Sequence, residues 1–233
     1  MPGQFSDFSL PPDFDNTVRL FPLPKLVMFP GVMQALHVFE PRYREMVADC
    51  LASDRLLTLA MLYEDQFNDD GDPKIAQTVC LGRIESEVQM EDGRYTLMLV
   101  GEKRATIKRE LRTQLPYRMA EVEVFDEDLT VIDDQQGLRA KLVSTFRLLS
   151  EFNPAWDKTS IDSMLADDLP LCRLVDVTCY VAGLDPENQQ RVLATFDLKT
   201  RTKLAIQLLQ DQLEYVRQTL GTRRDFPPKF SLN

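Results

Sequence analysis

Ala35-Leu36-His37-Val38-Phe39-Glu40-Pro41-Arg42-Tyr43 contains a change of backbone conformation from which the fold can be read. Ala35 to Phe39 is a short β-prone run, whereas Pro41 fits the first turn of a helix, where its missing N–H costs nothing. Tyr43, Met46, Val47, Cys50 and Leu51 then recur at three- and four-residue spacing, so the helix has one apolar face. Strand-like text surrounds it. Val18 to Phe21 lies upstream; Leu56 to Tyr63, Ile75 to Cys80, Arg83 to Met90, Arg94 to Val100, Arg104 to Leu111 and Tyr117 to Phe125 follow, separated by turn residues. Asp92-Gly93 joins two of these runs as a hairpin, because glycine accepts the positive φ that such turns require. The predicted architecture is one amphipathic helix capping a strongly bent sheet, with Glu64 to Pro73 as an acidic solvated loop.

After about Asp126 the apolar period becomes helical. Leu138, Leu142, Thr145, Phe146, Leu149 and Phe152 form one stripe, ended by Asn153-Pro154. Ser160 is expected to cap a short helix to Leu169, and Pro170 to start another whose inner face is Leu171, Leu174, Val175, Thr178 and Ala182, with Gly183 as its stop. Asp185-Pro186-Glu187 is a third start signal. From about Lys199, the residues Ile206, Leu209, Leu213, Val216 and Leu220 form a heptad seam closed by Gly221. Two heptads are short for an independent coiled coil, so the seam is expected to pack inside a bundle and the chain to be a monomer, with a weak dimer as the alternative. The fold class is therefore α+β: a β-rich lobe over 17–126, an acidic hinge from Asp126 to Asp134, an all-α bundle over 133–221, and tails at 1–16 and 222–233.

With 37 acidic against 27 basic residues the net charge is -10, which repels phosphate backbones and anionic lipid. Nucleic acid and membrane are therefore not the expected partners. Met1 to Asn16 has no basic residue and no apolar run, unlike a secretory signal, and no stretch approaches a membrane span, so a cytoplasmic protein is expected. Cys50, Cys80, Cys172 and Cys179 lack CxxC spacing and read as buried small apolar side chains.

Three elements occur in order near the start: Leu20-Phe21-Pro22-Leu23-Pro24, then Val27-Met28-Phe29-Pro30-Gly31, then Leu36 to Tyr43. Further on stand Asp92-Gly93-Arg94-Tyr95, Gly101 and Arg104, and in the helical half Leu165-Ala166-Asp167, Gln189, Leu193 and Arg201. In these features, from about Val18 to Leu220, the chain resembles the amino-terminal, substrate-recognising domain of the Lon protease family. The resemblance implies a PUA-like pseudo-barrel with one embedded helix followed by a helical bundle, and a part in recognising polypeptide. Phe29, Pro30, Gly31, Phe39, Glu40, Pro41, Arg42, Tyr43, Gly93, Gly101 and Arg104 carry the motif and read first as fold determinants, with Arg42 free to pair with a carboxylate such as Glu45.

The chemistry of a complete Lon enzyme is not legible. None of the glycines begins a GxxxxGK[ST] loop, whose amides would cradle phosphates, and the chain is expected to end before the ATPase and protease modules. His37 is the only histidine and lies in a strand pattern, which argues against a histidine-based nucleophile or metal site. Asp69-Asp70, Asp133-Asp134 and Asp167-Asp168 read as solvated charges. No catalytic residue, metal or cofactor is expected. The leading reading is a non-catalytic module for unfolded or partner polypeptide, working with an ATP-dependent protease in trans; RNA binding by a PUA-like fold and an unrecognised hydrolase are the alternatives. Met90 and Met98, flanking the Asp92-Gly93 turn, and Phe152 and Trp156, astride Asn153-Pro154, are the candidate peptide contacts, placed in a groove between the lobes.

Overall fold

A computed structural model of the chain describes residues 9–69, 71–127, 132–153, 156–165 and 169–223, with side chains as far as 219. Residues 1–8 and 224–233 of the expected tails, part of the hinge, Asp70, Pro154, Ala155, Ala166 to Asp168 and the side chain of Leu220 lie outside the described residues.

Two compact units emerge. In the first, strands β1 (Thr17–Pro24), β7 (Arg118–Phe125), β6 (Tyr95–Leu111), β5 (Thr78–Gln89) and β3 (Leu56–Phe67) pair in that order. A parallel β1–β3 pairing closes them into a ring. Alternate residues point inward and make one apolar cluster: Val18 and Leu20 from β1, Val79 and Leu81 from β5, Ala105 and Ile107 from β6, Ala120 and Val122 from β7. Leu10 and Phe14 pack against this cluster, so order begins before Thr17, inside the expected tail, because the barrel end offers these apolar side chains a place out of water.

Strand β2 (Met33–Val38) stands off the ring and pairs with the first part of β6, while β4 (Pro73–Ile75) pairs with β3. Helix α1 (Pro41–Leu51) follows β2, with Pro41 in its first turn and Tyr43, Met46, Val47 and Cys50 buried. Arg42 does not pair with Glu45. Its Nη2 meets Glu40 Oε2 at 2.9 Å and its guanidinium lies 4.5 Å from the Tyr43 ring centroid, since Glu40, just outside the helix, lies on the side where Arg42 already stacks.

Two breaks expected between strands are bends within strands. Arg94 to Val100 and Arg104 to Leu111 form the single strand β6, and Cys80 and Arg83 lie on the single strand β5. The register shifts between Leu81 and Gly82 mark a bulge, which re-aims a strand without ending it. A glycine there reads as a turn from sequence, yet supplies only room for a sharp bend.

The segment Asp185–Phe196 also belongs to the first unit, although its sequence reads with the helical half. Helix α5 (Pro186–Leu193) begins at Asp185, whose carboxylate accepts from the Asn188 N–H. Gln190 Nε2 donates to the Thr78 carbonyl at 2.8 Å, and Phe196 meets Phe125 edge-on at 4.8 Å.

The second unit contains α2 (Gln135–Ser150), α3 (Lys158–Met164), α4 (Leu171–Val181) and α6 (Leu198–Arg223). Helix α6 packs on α2 and α4, burying Ile206, Leu209 and Leu213 of the heptad seam. Asp157, not Ser160, caps α3; its carboxylate accepts from the Ser160 N–H and hydroxyl, both at 2.8 Å, and the helix ends at Met164 rather than Leu169. Gly183 stops α4 at φ 63°, as expected. Gly221 does not stop α6, which continues to Arg223, for glycine ends a helix only where the chain turns left-handed. Among the described residues no helix is long and apolar enough to cross a membrane.

Candidate functional site

Phe29, Gly31, Gly101 and Arg104 of the motif lie around the point where β6 passes from β2 to β7. Phe29 is fully buried and Gly31 takes φ 83°. The Gly31 N–H donates to the Gly101 carbonyl at 2.8 Å, and the Gly101 N–H to the Val32 carbonyl at 2.9 Å. A Cβ on Gly101 would lie 2.1 Å from the Phe29 carbonyl oxygen, so only glycine allows the two backbones this approach. Tyr43 stacks on Phe21 with ring centroids 4.5 Å apart. Arg104 is 1% exposed; its Nε donates to the Leu193 carbonyl at 3.1 Å and its Nη1 to Glu127 at 3.0 Å. It thus satisfies an orphan carbonyl at the end of α5 and holds that helix to the barrel. At the hairpin tip Gly93 takes φ 80°, and the Arg44 guanidinium occupies the space where its Cβ would stand.

Before Gly101, β6 lies between β2 and β5, and this three-stranded arm presents an outer face. Its register places His37, Thr96 and Val88 in one cross-strand row and Ala35, Met98 and Ser86 in the next. Because opposed residues share a face, Met33 and Met90 extend the same surface at its two ends. Leu36, Val38, Leu97 and Leu99 point the other way and are buried. Exposure reaches 57% at Met33, 65% at Val88 and 36% at Met90, and 60% at Phe39 just beyond the strand, where its ring lies 6.3 Å from His37. Among the described residues the other strongly exposed large apolar side chains, Phe67, Leu115, Leu148 and Tyr215, lie apart in the chain.

Charge is confined to the rim of that face. Arg94 Nε meets Asp92 at 2.7 Å, and Arg83 meets Glu85 at 2.6 Å and Glu102 at 3.0 Å. The Asp92 carboxyl is held below the ordinary carboxylate range, first by the Arg94 backbone N–H and then by its guanidinium, so it stays ionised and compensates Arg94 at the tip. His37 is exposed, with Nδ1 3.4 Å from Thr96 Oγ1 and Nε2 3.4 Å from Arg94 Nη1, and among the described residues no carboxylate or thiol hydrogen-bonds to it. Among the described residues no cluster of histidine, cysteine, aspartate and glutamate has metal-binding geometry.

Of the candidate contacts, Met90 and Met98 share the outer face of the first unit, whereas Phe152 and Trp156 belong to the second. There Trp156 stacks on Phe146, with rings 5.5 Å apart and an interplanar angle of 11°. Met33 and Val88 lie outside the sequence motifs, and Phe39, a motif residue, has an exposed side chain. The available signal was apolar residues on both faces of neighbouring strands, which a one-faced sheet does not need.

A family model described as the ATP-dependent protease La (LON) substrate-binding domain matches residues 17–211. The chain is 24% identical over 215 residues to a Lon protease of Roseiflexus castenholzii, covering 91% of this chain and 26% of that one. It is 26% identical over 216 residues to Lon protease 2 of Bdellovibrio bacteriovorus, again covering 26% of it. The chain thus spans about a quarter of the length of these relatives. Among solved structures, the N-terminal domain of a Mycobacterium avium complex Lon protease superposes with a TM-score of 0.66 at 19% identity, covering 84% of this chain and 98% of that one. A Lon N-terminal domain protein from Xanthomonas campestris gives 0.56 at 21%, covering 80% and 95%.

Proposed function

We propose, because the chain belongs to the family of the ATP-dependent protease La (Lon) substrate-binding domain, that it is a non-catalytic recognition module for unfolded polypeptide. It works with an ATP-dependent protease and contacts its clients through the outer face of the β2–β6–β5 arm. One observation carries this reading: Met33, Phe39, Val88 and Met90, exposed singly elsewhere in a fold, here share one surface around Met98. Several exposed apolar side chains on one face are a mark of protein contact, and methionine repacks around varied partners at little strain. The matched family model describes the substrate-binding domain and neither the ATPase nor the protease domain, so no ATP or peptide hydrolysis is expected of this chain.

The test is binding of a reduced, carboxymethylated, permanently unfolded polypeptide, followed by fluorescence anisotropy. Val88→Asp, at a site already in water, should leave the fold intact and weaken binding about tenfold, the worth of one apolar side chain and the desolvation of a charge. Binding that ignores Val88→Asp and is abolished by moderate salt would be electrostatic, and this reading would be wrong.

A further inference from the structure

Strand β2 presents main-chain groups as well as side chains. Among the described residues it pairs with β6 alone. The Val32 carbonyl accepts from the Gly101 N–H, which sets the phase of that ladder. An antiparallel pair alternates between residues bonded to each other and residues that are not, so Gln34, Leu36 and Val38 direct their main chain to β6. Met33, Ala35 and His37 direct theirs to the open edge. The Ala35 carbonyl accordingly accepts from the side-chain amide of the adjacent Gln34, at 2.9 Å, and not from β6.

Open edges invite pairing with other chains, and proteins normally blunt them with charge, proline or shortness. Two other edges follow that rule. Strand β4 is three residues long and starts at Pro73, and the unpaired stretch of β5 carries Glu85 and Glu87. Met33-Gln34-Ala35-Leu36-His37-Val38 contains no carboxylate, lysine, arginine, proline or glycine.

We propose that the open edge of β2 takes up an extended polypeptide segment as an added strand, with uncharged apolar side chains at alternate positions; this rests on the recognition reading above. The outward N–H and C=O groups of Met33, Ala35 and His37 fit a main chain in β conformation, as in other strand-addition complexes, with the Ala35 carbonyl exchanging its bond from the Gln34 side chain for one from the added strand. Every second side chain of the added strand would fall on the outer face beside Ala35 and Met98. The middle of that face has no formal charge, and the rim charges Arg94 and Arg83 are already matched by Asp92, Glu85 and Glu102, so a charged side chain would be desolvated there without compensation. The edge therefore selects clients by extended conformation, and the face selects them by lack of charge.

The test uses the full chain and a fluorescent ten-residue peptide of alternating valine and threonine, N-methylated at one set of alternate amides or at the other. Methylation removes donors on one edge of the peptide and leaves its side chains unchanged. One set should weaken binding at least about tenfold and the other no more than about twofold, since only one edge faces β2. Ala35→Pro removes an outward donor without touching a bond to β6, and should weaken the unmethylated peptide similarly, with circular dichroism and thermal midpoint reporting its fold. If neither methylation set nor Ala35→Pro matters while Val88→Asp still weakens binding, strand addition is wrong and apolar recognition stands. A peptide that fails to bind although unfolded polypeptide binds would also overturn strand addition. If neither probe binds, the recognition reading itself falls.

Discussion

At Gly101 a single hydrogen atom stands where any other residue would place a carbon 2.1 Å from the Phe29 carbonyl oxygen. Gly101→Ala should therefore cost about 3 kcal/mol, at the upper end of overpacking effects, as read from the urea midpoint. Arg104 is as constrained for the opposite reason, being a large charged group with hydrogen bonds to Leu193 and Glu127 and almost no contact with water. Arg104→Met removes the buried donor to the Leu193 carbonyl and to Glu127 and should cost about 3 kcal/mol, whereas Lys103→Met, which loses a surface pair with Asp126, should cost less than about 1 kcal/mol. Burial pushes the Cys50 thiol up from 9.0 to about 12, despite the nearby Arg19. Burial and then the hydrogen bond to Asp49 push the Tyr117 hydroxyl up from 10.0 to about 12. Both groups hold their protons more tightly when folded, so the stability they contribute is complete below pH 9 and is lost as pH rises towards 12. Unfolding free energies measured across that alkaline range should fall, and the double variant Cys50→Ala, Tyr117→Phe should fall less steeply. Cys50 should also resist iodoacetamide at pH 8 until the chain is unfolded.

Among the elements, α5 shows how local and distant forces divide the work. Its start is local: Asp185 accepts from the Asn188 N–H, and Pro186 follows in the first turn. Asp185→Ala should destabilise the first unit by about 1 kcal/mol, the usual worth of such a cap, with proteolysis within Asp185–Phe196 rising in parallel. Its place is distant, set by Gln190 on the Thr78 carbonyl and by Arg104 on the Leu193 carbonyl. The heptad seam of α6 is likewise spent within its own unit, for Ile206, Leu209 and Leu213 are buried against α2 and α4. Leu213→Glu should therefore unfold that unit, seen as lost helical circular dichroism, and not convert a dimer into folded monomers. Strand β2 is the exception among the elements, because among the described residues the edge formed by Met33, Ala35 and His37 pairs with no other strand and several of its side chains face water.

For the molecule as a whole, light scattering should give a monomer mass at high protein concentration, because Ile206, Leu209 and Leu213 of the heptad seam are buried within the second unit and a net charge of -10 opposes close approach of copies. A concentration-dependent dimer that Ala35→Pro abolishes would place a second copy on the β2 edge. Much of this molecule was determined by its sequence alone. Period and end signals located α1, α2, α4 and α5 and the Asp92-Gly93 hairpin, because caps, prolines and turn glycines act over a few residues. The ordered motifs from Leu20 to Tyr43 identified the family, whose model covers residues 17–211. Tertiary structure decided the rest. Whether Gly82 and Gly101 break a strand or bend it depends on partners across the sheet, and a glycine looks the same in both cases. That α5 joins the barrel depends on Arg104 and Thr78, far away in the chain. The candidate site emerged last for the same reason: Met33, Val88 and Met98 become one surface only through the pairing of β2 and β5 with β6, and an open edge is a property of the missing neighbour, which no local pattern of residues encodes.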